Sequence, residues 1–236
     1  MCRVKRSVMI VLRWLYSFLF ILMLPVILLR LLCKSVKNPS YRDRIGERFG
    51  FVPKQSKRAI WVHAVSVGET VAVAPLVRQL QYRYPDHVVV MTTMTPTGSN
   101  EVKRLLADTV LHYYVPYDLR AFVSRFVRRL HVKWCVIVET EIWPNMVYYM
   151  HSRQIPVFLA NARMSVRSER GYARFCFVTR SLLNYYHKII ARDEKDYEAF
   201  LRLGVDSSRV CVGGNIKYDL EYSKNVLFFI KFSKSV

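Results

Sequence analysis

AIWVHAVSVGET, residues 59–70, decides how the chain is read. Ala59, Ile60, Trp61 and Val62 form an apolar run suited to a strand buried on both faces, and helical character begins a few residues later. The same pattern then repeats. Apolar, β-rich runs recur at 87–93, 111–115, 133–139, 155–160, 187–191 and 209–212. Amphipathic stretches lie between them, at 69–83, 98–107, 118–130, 168–186 and 193–203. This alternation predicts an α/β domain: a Rossmann-like parallel sheet with helices on both faces and right-handed crossovers.

Glu69 sits where the first strand gives way to its helix. A carboxylate there is stabilised by free N–H groups and the helix dipole, which is one complete account of it. In open parallel sheets, however, ligands bind beyond the carboxyl ends of the strands, where the βα loops gather. Glu69 lies on that rim with Ser66 and Gly68. The second strand ends in TTMTPTGSN (92–100), whose Thr95, Thr97, Gly98 and Ser99 form a candidate anion cradle. Ordinary N-capping by Thr or Ser is the alternative. The fourth strand ends in VETEIWPN (138–145), adding Glu139 and Glu141, and the fifth in LANARMS (159–165), adding Asn161 and Arg163. Carboxylates and an arginine are thus expected on one rim.

Composition narrows the partners. The 236 residues carry a formal net charge of +20, a field suited to nucleic acid, an acidic membrane or a phosphorylated glycolipid. No helix-turn-helix, RRM or finger signal supports nucleic acid, and none is expected as a partner. Cys2, Cys33, Cys135, Cys176 and Cys211 are scattered, without metal-ligand spacing or a disulfide pattern. No HExxH, GxGxxG or P-loop occurs, so neither a metal nor a cofactor is expected.

WLYSFLFILMLPVILL (14–29) runs apolar between Arg13 and Arg30. With Val8–Leu12 added and Arg13 snorkelling, it reaches membrane-spanning length. A cleaved signal peptide is the competing reading, but a basic flank (Lys34, Lys37, Arg42, Arg44, Arg48) follows where a cleavage site would stand. Residues 1–33 are therefore read as a membrane anchor, with the rest of the chain cytoplasmic beside anionic head groups. Residues 34–58 read as a basic connector and 59–220 as the Rossmann-like domain.

Seven segments in this order, YRDRIGERFGF, HAVSVGET, TTMTPTGS, VPYDL, ETEIWPN, ANARMS and GNIKYDL, resemble the Kdo transferases, which add 3-deoxy-D-manno-octulosonic acid to lipid A precursor. The resemblance runs from about Leu15 to Leu220. It implies a GT-B glycosyltransferase whose amino-terminal domain binds the acceptor, anchored at the cytoplasmic face of the cell inner membrane. It implies CMP-Kdo as donor, lipid A precursor (lipid IVA) as acceptor and membrane lipids as surroundings. By the same resemblance Glu69 is the proton acceptor, with Glu139 and Lys217 as transition-state stabilisers; a structural salt bridge is the alternative for the latter two. A second Rossmann-like domain carries most donor contacts in that family. EYSKNVLFFIKFSKSV (221–236) is too short to form it, so the donor domain is expected to be absent here. The reading from a different class is a non-catalytic, membrane-bound module that binds acidic glycolipid.

Overall fold

The computed structural model describes residues 6–215, so Lys217 and the tail 221–236 lie outside the described residues. A long helix α1 (Arg6–Lys37) opens the chain, and a 3-10 turn leads to the one-turn helix α2 (Ile45–Arg48). The alternating part follows as β1 (Ala59–His63), α3 (Val67–Arg83), β2 (Val88–Thr93), α4 (Pro96–Leu106), β3 (Leu111–Tyr114), α5 (Arg120–Leu130) and β4 (Val132–Val138). It continues through α6 (Pro144–Ser152), β5 (Val157–Ala162), α7 (Val166–Arg174), α8 (Cys176–Leu183), β6 (Lys188–Ala191), α9 (Glu194–Arg202) and β7 (Val210–Val212).

The strands form a seven-stranded sheet in the order β3-β2-β1-β4-β5-β6-β7, every neighbouring pair parallel. The expected fold class is therefore the one observed. Alternate residues of the strands feed two cores. Trp61, Cys135 and Ile137 pack under α5, α6 and α9 on one face; Ile60, Val62 and Val136 pack under α3 and α4 on the other. Strand order reverses between β1 and β4, which opens a crevice at their carboxyl ends.

Two elements differ from the sequence expectation. Helix α6 was not anticipated, because five of its nine residues are buried and an all-round apolar helix gives no 3.6-residue signal. The stretch 168–186 is not one helix but two, broken at Phe175, whose φ and ψ of −114° and 42° leave the helical range.

The stretch read as connector is packed onto the sheet. Arg48 is buried and donates to the Met94 carbonyl at 3.0 Å, with its guanidinium over the Tyr114 ring. Glu47 accepts the Tyr114 N–H at 2.7 Å. Gly50 has φ +78°, and a Cβ there would stand 2.3 Å from the Phe122 carbonyl oxygen, so only glycine allows this approach. Arg44, whose guanidinium lies over the same Tyr114 ring, and Arg48 thus bind this segment to the domain instead of leaving it a loose link.

Helix α1 is long and apolar enough to cross a membrane by length and composition, and its apolar window is not buried in the protein. One narrow face is nevertheless docked. The Arg13 guanidinium lies 3.5 Å from the Tyr148 ring centroid, Ser17 exchanges a hydrogen bond with Asn145, and Phe20 stacks near Tyr117. Beneath them Asp118, fully buried, accepts the N–H groups of Asn145 and Met146 at 3.0 and 2.7 Å and the Tyr16 hydroxyl. Desolvation pushes Asp118 up to about 6, against those three hydrogen bonds.

Candidate functional site

The crevice between β1 and β4 gathers the rim carboxylates. Ser66, in extended backbone conformation, caps α3 by accepting the Glu69 N–H at 3.2 Å. Glu69 reaches back: one oxygen accepts the Ser66 hydroxyl at 2.8 Å and the other the Val65 N–H at 2.8 Å. This reciprocal arrangement is a variant of the capping box, for which the S-x-x-E spacing is the signal in the sequence. Glu69 is 7% exposed, and each carboxylate oxygen keeps a second lone pair. Burial raises its pKa above the ordinary carboxylate value; the Ser66 and Val65 hydrogen bonds pull the other way, and the Glu139 charge raises it further.

Glu139 follows β4 directly. Its φ is +60°, a left-handed conformation costing a non-glycine residue of order 1–3 kcal/mol. Its N–H donates to the Ala160 carbonyl at 2.8 Å, which ties the turn to β5. Glu141 is raised by desolvation, then by the charges of Glu69 and Glu139. Three carboxylates therefore feel one another across the switch point. Asn161 on β5 is buried, with φ +52°, at a register irregularity between β5 and β6. The two left-handed residues sit on adjacent strands at the same edge, and such strain is concentrated where function fixes the backbone.

Arg163 stands on the same rim. Its main chain is clasped to Thr140, whose hydroxyl hydrogen-bonds both the Arg163 N–H, at 3.0 Å, and the Arg163 carbonyl. Its guanidinium makes no hydrogen bond or ion pair among the described residues and is exposed. Asp196 of α9 holds the next residue, accepting the Met164 N–H at 2.7 Å.

The TTMTPTGS turn is differently engaged. Thr95 caps α4 through the Gly98 N–H at 3.2 Å, and Thr97 lies 3.0 Å from the Thr95 hydroxyl. Ser99 is buried and accepts from Arg44 at 2.8 Å, with His112 Nδ1 at 3.3 Å. Gly98 leaves little room for a side chain, since a Cβ would stand 3.1 Å from that of Thr93. These groups build the turn, as ordinary capping does. Gly68, by contrast, faces open space.

Two residues at the crevice floor lie within the HAVSVGET and ETEIWPN segments, but nothing in their local pattern marks them as site residues. His63 ends β1 fully buried, its Nδ1 2.9 Å from the Thr92 hydroxyl and its Nε2 without a partner among the described residues. Desolvation lowers its pKa to about 4, so it is neutral near pH 7. Trp143 meets its ring edge-on at 5.7 Å between centroids. Among the described residues no cluster of three or more His, Cys, Asp or Glu side chains could hold a metal ion.

A parallel sheet with a carboxylate-lined switch-point crevice is the architecture of a GT-B-like half. The fold is shared with a UDP-N-acetylglucosamine 2-epimerase structure at TM-score 0.51 and 12% identity, covering 70% of this chain and 50% of that one. It is shared also with UDP-GlcNAc 2-epimerase from Neisseria meningitidis at TM-score 0.50 and 15% identity, covering 76% and 51%. Residues 43–220 match the family model described as 3-deoxy-D-manno-octulosonic-acid transferase (kdotransferase), and the chain belongs to this family. It is 39% identical over 218 residues to the 3-deoxy-D-manno-octulosonic acid transferase of Haemophilus influenzae, covering 91% of this chain and 51% of the relative. Against that of Chlamydophila psittaci it is 31% identical, covering 86% and 48%. The chain thus spans about half the length of the curated relatives it matches.

Proposed function

We propose that residues 59–220 are the acceptor-binding part of an enzyme transferring Kdo from CMP-Kdo to a lipid A precursor. Glu69 is the general base in this reading. A glucosamine hydroxyl of the acceptor attacks the anomeric carbon of the donor, a glycosidic bond forms, the bond to CMP breaks, and Glu69 takes the hydroxyl proton. CMP leaves as a phosphate anion and needs no acid. The observation that carries the reading is the Glu69 carboxylate, buried at the switch point with both oxygens held and one lone pair left on each. Its raised pKa makes it a better proton acceptor than an exposed carboxylate.

Glu139, held in a left-handed turn beside Glu69, would favour oxocarbenium character in the sugar. Lys217 would neutralise the leaving phosphate or the sugar carboxylate; its placement lies outside the described residues. Gly68, open and at the helix start, and Arg163, with its exposed guanidinium, are the rim positions available to the acceptor. Thr95, Thr97, Gly98, Ser99 and Asn161 serve chiefly to shape that rim. Helix α1 would hold the protein to the cytoplasmic face of the inner membrane, where a lipid acceptor is found.

The test joins this chain, after Leu220, to the remaining part of the Haemophilus influenzae relative and measures Kdo transfer from CMP-Kdo. Glu69→Gln keeps size and most hydrogen bonds but cannot take the proton, so transfer should fall about 100-fold or more. Binding of the lipid acceptor should survive. Transfer at near the parent rate would reduce Glu69 to a helix cap. Lipid binding by a joined protein that shows no transfer at all would favour the glycolipid-binding module instead.

A further inference from the structure

Asp118 belongs to VPYDL (115–119), in the turn between β3 and α5, and is fully buried, so it cannot touch a substrate. What it touches is the start of α6. Helices α3, α4, α7 and α9 are each capped by their own Ser, Thr or Asp side chain. Helix α6 begins instead at Trp143, whose ring packs edge-on against His63 and supplies no cap, followed by Pro144. Its cap comes from 27 residues away. The two Asp118 oxygens accept the Asn145 and Met146 N–H groups, and the Asp118 main-chain carbonyl accepts the Asn145 side-chain amide at 2.7 Å. A buried carboxylate is a costly cap, since desolvation disfavours its charge. What it adds over a hydroxyl is a second acceptor oxygen, which fixes two successive N–H groups at once.

The 139–145 loop joins β4 to this helix start and carries Glu139 and Glu141. Its β4 end is tied to β5, through the Glu139 N–H on the Ala160 carbonyl at 2.8 Å and the Thr140 hydroxyl on the Arg163 N–H at 3.0 Å. In its middle, the hydroxyl of fully buried Tyr186 donates to the Glu141 carbonyl at 2.9 Å. Glu139 nonetheless sits at φ +60°, and such a conformation persists only where the surroundings over-determine it. A loop fixed at one end relaxes by turning that residue back to ordinary backbone; a loop fixed at both ends cannot. Asp118 is the second fixed end. Helix α1 reinforces it, because the Tyr16 hydroxyl donates to Asp118 and the Ser17 hydroxyl accepts the Asn145 side-chain amide at 3.0 Å.

We propose that Asp118 is a positioning residue for the transfer reaction: by fixing the start of α6 it keeps Glu139 in its left-handed turn at the crevice, and Tyr16 makes α1 part of that support. The inference rests on the role given to Glu139 above and adds the group that sets its place. VPYDL thereby acquires work in the reaction without reaching the substrate.

The test uses the joined enzyme and Asp118→Asn, which keeps the shape but sets an NH2 donor against one of the two N–H groups. kcat should fall by about tenfold or more with KM for CMP-Kdo nearly unchanged, since a misplacement of about 1 Å can cost about 100-fold. The deciding readout is a double-mutant cycle. In a Glu139→Gln background, Asp118→Asn should lower kcat by less than about twofold further, because the group it positions is already gone. Tyr16→Phe should show the same coupling with a smaller loss and leave sedimentation with membranes unchanged; should Asp118→Asn fail to fold, this milder variant decides. Parent kcat in Asp118→Asn, or in Tyr16→Phe where that variant decides, overturns the proposal. So do losses that multiply with that of Glu139→Gln, which would make Asp118 merely structural and leave the role of Glu139 standing. Glu139→Gln alone at the parent rate would overturn that role, and the inference with it.

Discussion

Ser66 and Thr95 cap α3 and α4 in the same manner, each hydroxyl accepting the N–H three residues on. From there the two turns diverge. In the first, the third residue after the cap is Glu69, whose carboxylate faces the crevice and feels the charge of Glu139. In the second it is Gly98, pressed against Thr93, and the next hydroxyl, Ser99, is taken by Arg44. The first turn stands beside the β1–β4 switch point, whereas the second sits toward the β3 edge, where the 41–49 segment covers it. Polar residues of the same kinds therefore acquire different work from their position in the sheet order. Cap geometry alone does not mark a site.

The sharpest contrast between the turns should appear in catalysis. In the joined enzyme, Glu69→Gln should cost about 2.7 kcal/mol of transition-state stabilisation or more, the equivalent of a hundredfold loss. Thr97→Ala, on the second turn, should change the rate by less than about 0.5 kcal/mol, as surface substitutions do. Equal losses would erase the distinction drawn here.

A pH titration probes the strand ends beneath the turns. His63 and His112 are both held low, to about 4 and about 3, by desolvation, with the Arg44 and Lys103 charges adding at His112. A histidine whose folded pKa is depressed lends stability above its unfolded pKa, near 6.5, and that stability is lost as pH falls toward the folded value. Between pH 7 and pH 5, His63 should therefore cost the fold about 2 kcal/mol, at about 1.4 kcal/mol per unit over about 1.5 units. Asp118 works in the opposite direction, because its raised pKa favours the fold at low pH and that contribution is lost as pH rises through about 6. The quantity to measure is the difference in urea unfolding between wild type and His63→Gln at the two pH values. A difference independent of pH would show that His63 is not held neutral.

The smallest effects concern the two glycines. Gly98→Ala should destabilise by about 1 kcal/mol, because the added methyl meets the Thr93 side chain at 3.1 Å. Gly68→Ala meets nothing within 4 Å and should stabilise by about 0.5–1 kcal/mol through helix propensity and reduced freedom of the unfolded chain. Thermal denaturation of the two variants reads both signs. A destabilised Gly68→Ala would mean that the open turn is tighter than the crevice geometry implies.

The sequence alone determined the sheet, its parallel sense and the rim on which Glu69, Glu139, Glu141, Asn161 and Arg163 gather. These follow from local pattern: doubly buried strands are continuous apolar runs, and the loops after them reach the same edge whichever strands become neighbours. It did not determine α6, whose burial on most sides erases helical periodicity, nor the break at Phe175, where one helix became two. It could not separate Ser99 from Ser66, since the Arg44 that occupies Ser99 lies 55 residues away. His63 looked like one more strand residue; only the packing left its Nε2 buried and without a partner among the described residues. Tertiary structure decided these points because each depends on which distant group arrives to satisfy a polar atom, and hydrogen-bond partners between remote segments leave no periodic trace in the chain. The face by which α1 docks on the domain likewise depends on partners far along the sequence, Asn145 and Tyr148, which the length of its apolar run does not reveal.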